Sequence, residues 1–429
     1  MTSTADFSRT LGYTPDVIIQ DKITETDARD CLNSAFPPVI YTPHELEIFQ
    51  GFMPTVIHHL DEIGVLGDIG DSFREVSDDI IGQRVAWWLQ SELFNRFATT
   101  CTALVHGLMD PDSVNSKLAQ LKKFGYVGGK LLGIPGFYDV TASSPSQVSG
   151  DLPPEQLDNI LFQVKLASSD LLRKTPLYVP PGYIQSRIRT DVVEDERFGY
   201  VHEMTGVAGE YPDYVFVYGS AVTDPEKCND TDYMVFVDRE RLGDWVMAFR
   251  GTHPTFKGKK VEINIYPADT LEKVIAFEHD PREFAEQTIL VYGNPEVPVV
   301  PEEYNRMRIY SHVVSRCKQI KTILLWAAGD PDILLSKPNF HDFVIKTPRF
   351  MLRGIWNLED GYAVRTKDEI SGRLTDEFGY RPIPVEQCDA ADVRENLIQV
   401  YTACARLIEY IHPIKAELPF LEGVPLVPF

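Results

Sequence analysis

Residues 214–237, YVFVYGSAVTDPEKCNDTDYMVFV, restrict the fold more than any other stretch of the chain. Two runs rich in β-branched and aromatic residues, 214–218 and 233–237, flank a Gly-Ser pair and an Asp-x-Asp. This pattern predicts two strands joined by a loop that carries polar chemistry. Gly219 has no Cβ and permits close approach to the backbone, while Ser220 offers a hydroxyl and an amide to an oxyanion. Asp230 and Asp232, two apart in extended chain, project to one side, where their charges repel unless a cation lies between them. A hard divalent ion such as Mg²⁺, held by one or two carboxylates and by phosphate oxygens, suits that position.

The next extended segment supplies a third acid. In KVEINIYP, Val261, Ile263 and Ile265 alternate with Glu262 and Asn264, which predicts a strand with its apolar residues in the core and Glu262 on the other face. Paired beside 233–237, this strand brings Glu262 to the two aspartates; Asp269 is the alternative third acid. In a chain with 63 Asp and Glu residues an Asp-x-Asp arises by chance, so the combination carries the argument and the dipeptide pattern alone does not.

Together Gly219, Ser220, Asp230, Asp232 and Glu262 resemble the signature of the DNA polymerase β-like nucleotidyltransferase superfamily: Gly-Ser, a spacer, Asp-x-Asp, and a later strand-borne carboxylate. Two features depart from the commoner pattern. Loop 221–229 is acidic and neutral apart from Lys227, and the third acid is Glu where Asp is more usual. The resemblance implies an α+β fold, a small mixed sheet with helices, flanked by an N-terminal mostly helical region and a C-terminal helical bundle. It implies that Asp230, Asp232 and Glu262 are the metal-binding and catalytic residues, holding one or two Mg²⁺ ions, with a nucleoside triphosphate as co-substrate at Gly219 and Ser220. The implied reaction moves a nucleoside monophosphate to a hydroxyl of a small acceptor and releases pyrophosphate. Farther along, TILVYG at 288–293 and then an apolar helix, Gly361, a short turn and Lys367 are similar to the layout of aminoglycoside adenylyltransferases. That similarity implies a phosphate-binding role for Lys367, assisted by Arg308 or Arg316.

Composition narrows the partners. A formal charge of −22 and a pI near 4.9 repel a polymer of phosphates and favour a neutral or cationic small acceptor. At 429 residues the chain accommodates two or three domains, and the expected division is 1–150, mostly helical; 151–300, the nucleotidyltransferase core; and 301–429, helical. Trp87 and Trp88 read as packing within the first of these, and the Ser-, Pro- and Gly-rich 141–154 reads as a linker. Helix 112–124 followed by a glycine-rich stretch suggests a winged-helix-like unit, with Lys117, Lys122, Lys123 and Lys130 as its basic cluster. Two alternatives therefore stand beside the enzyme: a catalytically silent nucleotide sensor, and a DNA-binding regulator built on 112–140. Lys257, Lys259 and Lys260, just ahead of Glu262, read as an exposed loop or as phosphate contacts. Six cysteines without metal-ligand spacing, no leader pattern and no apolar run near ~20 residues point to a cytoplasmic protein with reduced thiols and no membrane span.

Overall fold

The computed structural model describes residues 16–46, 89, 93, 104–105, 111–126, 128–129, 133–137, 139, 152–174, 192–226, 228–271, 273–274, 287–295, 302–329, 332–336, 338–361 and 365–412. In chain order these form β1 (Val17–Ile19), α1 (Glu25–Asn33), β2 (Val39–Tyr41), α2 (Pro111–Tyr126), α3 (Pro154–Lys174) and α4 (Tyr200–Ala208). The motif region comes next as β3 (Tyr214–Tyr218), the one-turn α5 (Ser220–Thr223), β4 (Asp230–Val237), α6 (Leu242–Phe249), β5 (Thr255–Phe256), β6 (Lys259–Pro267) and β7 (Thr288–Gly293). Helices α7 (Glu302–Gly329), α8 (Pro338–Asp360), α9 (Lys367–Phe378) and α10 (Ala390–Ile411) complete the described chain. The protein thus mixes helix with small sheets, compatible with an α+β class. No described helix is long and apolar enough to cross a membrane.

The chain divides into two units, and the division differs from the three consecutive segments expected. One unit takes the described residues of Met1–Arg84 together with those of Arg306–Glu422; the other takes those of Val85–Asn305. The N-terminal segment is therefore part of the helical unit. Its anchor is Glu45, whose Oε1 lies 3.0 Å from Lys321 Nζ on α7, both side chains almost fully buried. Lys321 also donates to the Ile40 carbonyl at 2.6 Å and stands over the Tyr41 and Tyr401 rings. Burial pulls the Lys321 pKa down, but the Glu45 carboxylate, its hydrogen bond and smaller contributions from Tyr401 and Cys317 together leave the net shift upward.

In the other unit a five-stranded sheet runs in the order β5-β6-β4-β3-β7. β4 pairs antiparallel with β3 and parallel with β6, the parallel connection passing through α6. Helix α6 buries Leu242, Trp245, Val246 and Phe249, the i, i+3, i+4, i+7 stripe of an amphipathic helix. On one sheet face Val215, Val217, Tyr233, Val235, Val261, Ile263 and Ile265 are completely buried. Helix α4 packs its Tyr200 against Tyr233 there, ring centroids 5.8 Å apart.

Among the described residues of 127–140 there is no strand; residues 130–132 of the expected extended run lie outside them. A Cβ at Gly128 would stand 2.0 Å from the Phe137 ring: this glycine makes room for a packed aromatic and does not turn a hairpin. The side chains of Lys123 and Lys130, the Trp87-Trp88 pair and residues 141–151 of the expected linker lie outside the described residues.

Candidate functional site

Side chains two apart on a strand share a face, and residues in register on neighbouring strands stand side by side. The register therefore arranges the second face of the sheet in rows. Asp230 pairs with Lys260; Tyr218, Asp232 and Glu262 form the next row; Phe216, Met234 and Asn264 the third; Tyr214, Phe236 and Tyr266 the fourth. The last row is an aromatic stack, Tyr214 to Phe236 at 4.8 Å and Phe236 to Tyr266 at 5.3 Å. One face is thus dry at one end and carries three carboxylates and a lysine at the other. Between them lies a polar floor, where Asn264 Nδ2 donates to Tyr218 Oη at 3.4 Å.

Gly219 ends β3 beside this cluster with φ +78° and ψ −146°, a conformation essentially restricted to glycine. Its amide donates to the Gln287 carbonyl at 3.0 Å, and a Cβ there would lie 3.5 Å from Asp232 Oδ2. Ser220 opens α5 directly after it. The Gly-Ser pair and the Asp-x-Asp, ten residues apart in sequence, are therefore adjacent in space.

The carboxylates strain one another electrostatically. Burial, then the charges of Glu262 and Asp230, push the Asp232 carboxyl up to about 8, and a hydrogen bond to Glu262 adds to the shift. The Lys260 ammonium opposes it and donates to Glu262 Oε1. Among the described residues no three His, Cys, Asp or Glu side chains stand in a metal-coordinating arrangement. Glu262 is turned instead toward Lys260. The three carboxylates share one face of the sheet in neighbouring register rows, and carboxylate oxygen is the donor type that a hard divalent ion takes.

Asp269, the alternative third acid, forms a two-bond ion pair with Arg239, at 2.8 and 3.0 Å. Lys367 belongs to the helical unit, exposed at the first position of α9 behind the capping residue Thr366, and Gly361 lies immediately after α8 with φ +77°. Arg316 packs its guanidinium over the Phe343 and Phe350 rings, 5.0 and 5.5 Å from their centroids. The Arg308 side chain lies outside the described residues. Sequence reasoning misses Tyr218 and Asn264 as site residues, although both follow from the alternation that places Asp232 and Glu262. Lys165 gives no such signal. Fully buried on α3, it donates to the Ile265 carbonyl of β6 at 2.9 Å, a contact 100 residues distant in sequence.

Comparisons with protein-family models, with curated proteins and with solved structures found no match to the chain.

Proposed function

We propose that the chain is a Mg²⁺-dependent nucleotidyltransferase that moves a nucleoside monophosphate from a nucleoside triphosphate to a hydroxyl of a small molecule. The observation that carries this reading is the row Tyr218, Asp232, Glu262, with Asp230 on the same face and Gly219 against Asp232. A carboxylate cluster of this kind, beside a backbone stripped of its Cβ, suits a metal-bound polyphosphate better than it suits an uncharged ligand.

A divalent ion bound to the three acids would offset phosphate charge and polarise the phosphorus under attack. Gly219 lets the triphosphate approach the main chain, and the Ser220 hydroxyl donates to one of its oxygens. Glu262 accepts the proton of the acceptor hydroxyl as that oxygen bonds to the α-phosphorus. The bond from the α-phosphorus to the bridging oxygen breaks, and pyrophosphate leaves with the electron pair. Tyr218 and Asn264 hold the floor beneath the carboxylates and limit their rotamers. The acidic surface favours a hydroxylated acceptor that is neutral or cationic over a nucleic acid.

Incubating the full-length protein with Mg²⁺, each of four labelled nucleoside triphosphates and a metabolite extract tests this. A nucleotide adduct in the mass spectrum, lost in Asp230→Asn and Asp232→Asn, is the expected result. Triphosphate binding without consumption across every acceptor fraction would instead identify a silent sensor.

A further inference from the structure

Outside the carboxylate row, a thiol and an amine are held against each other. Cys228 lies in the loop between α5 and β4 and is almost covered, at 8% exposure; Lys259 is the first residue of β6. The Lys259 Nζ stands 2.8 Å from Cys228 Sγ and donates to the Pro225 carbonyl at 2.6 Å, and the thiol donates to that same carbonyl at 3.3 Å. Both main chains are pinned. The Cys228 amide donates to the Asp224 carbonyl at 3.1 Å, and the Lys260 amide, next after Lys259, donates to the Asn229 carbonyl at 3.4 Å. Lys259 also pairs with Phe256 across the two-residue turn of the β5–β6 hairpin, where φ is +49° at Lys257 and +81° at Gly258. A turn with two positive φ angles matches the twist of its strands and fixes their register. The two side chains thus reach each other from fixed main-chain positions.

We infer that Cys228 and Lys259 form a reversible covalent link when the protein meets a hydroperoxide, a modification site that joins the α5–β4 loop to β6. Arg197 also interacts electrostatically with Cys228, and thiols in electropositive settings are the ones that small oxidants select. A sulfenic acid with a nitrogen beside its sulfur condenses to a sulfenamide. In the first step the thiol is oxidised and hydrogen peroxide reduced: the O–O bond breaks, sulfur keeps one oxygen as the sulfenic acid, and water leaves. In the second the Lys259 ammonium gives one proton to solvent, and its freed electron pair attacks sulfur. The Nζ–Sγ bond forms, the S–O bond breaks, and the departing hydroxide takes the remaining displaced proton and leaves as water. The chain has then lost two hydrogen atoms. Two molecules of a thiol reductant return the thiol and the amine and leave as a disulfide. Cys388 has no such neighbour, its sulfur meeting the Ile383 and Pro384 carbonyls and the Asn396 amide, none of them an amine. The link lies just ahead of Asp230 and Lys260, so it clamps the approach to the carboxylate row without using a residue of it, whatever that row binds.

Treating the full-length protein with hydrogen peroxide, digesting it without reductant and mapping the peptides by mass spectrometry tests this. The expected result is a joined pair of peptides holding residues 228 and 259, two hydrogen atoms lighter than the sum of its parts and separated by dithiothreitol. Lys259→Arg keeps a cation beside the thiol but has no amine to condense; there the joined pair should vanish, and dimedone should capture Cys228 as its sulfenic acid. Cys228→Ser should lose the pair as well. Dimedone labelling of Cys388 that is the same in all three proteins guards against unfolding as the cause. A native protein in which Cys228 carries only added oxygen, or stays a thiol, overturns the link. So does a joined pair that survives in Lys259→Arg, because its nitrogen would then belong to another residue.

Discussion

At the scale of single residues, the site rests on one backbone angle and one buried carboxyl. Gly219 holds φ at +78°, and a Cβ there would meet Asp232 Oδ2 only at ordinary contact distance, 3.5 Å. Space is therefore not what forbids a side chain; the dihedral is. Gly219→Ala should cost about 1–3 kcal/mol in chemical denaturation. Asp232 gives a pH prediction. Its folded-state pKa of about 8 lies above the unfolded value, so the folded protein binds the extra proton. The stability this contributes is fully present below about pH 4 and declines as pH rises toward 8. Melting temperatures of the metal-free protein should fall between pH 6 and 9, and Asp232→Asn should flatten that fall and raise the melting temperature at pH 8 by a few degrees. A native protein with the same pH profile as the variant would show that Asp232 is already ionised at pH 6. Asp230, Asp232 and Glu262 are legible in the sequence because strand alternation has a period of two. The hold of Lys260 on Glu262 is not, since it depends on which rotamer a mobile side chain adopts.

At the scale of elements, β6 has two jobs separated by its pleat. Val261, Ile263 and Ile265 are fully buried on one face, while Glu262 belongs to the carboxylate row on the other. The two jobs should come apart under mutation. Ile263→Ala should lower stability by about 2–5 kcal/mol and leave the turnover of the folded fraction unchanged. Glu262→Gln should lower turnover by orders of magnitude with little loss of stability; a pure loss of stability there would make the residue structural. The strands themselves are readable from β-branched and aromatic runs bounded by turn residues. Their parallel pairing is not, because the crossover helix α6 escapes a reading by pattern. Its stripe at 242, 245, 246 and 249 is present in the sequence, hidden in a segment of only eight residues between two strong strand signals. Glycine marks close packing as readily as it marks a turn, and at Gly128 it is Phe137 that needs the space.

At the scale of the molecule, the N-terminal segment joins the helical unit across several hundred residues of chain. Thr42 donates to Glu409 at 2.8 Å, and Arg29 pairs with Glu395 at 3.1 Å. No local pattern encodes such a partnership, which is why consecutive domains are the natural expectation. The Lys321–Glu45 pair gives the partnership a measurable size. Lys321→Met and Glu45→Gln should each cost about 3–5 kcal/mol, since each leaves a buried charge or polar group without its partner, and the double variant should cost clearly less than their sum. Thermal denaturation of the four proteins closes the cycle; additive losses would mean that the pair is not coupled.

The measurement that bears most directly on the central claim is an anomalous-difference map from crystals of the full-length protein grown with Mn²⁺ and tripolyphosphate. A peak within about 2.5 Å of carboxylate oxygens from Asp230, Asp232 and Glu262, with phosphate density reaching Gly219 and Ser220, is the predicted result. A map with no peak on this face of the sheet, or with Lys260 still bound to Glu262 and the phosphates elsewhere, would contradict it.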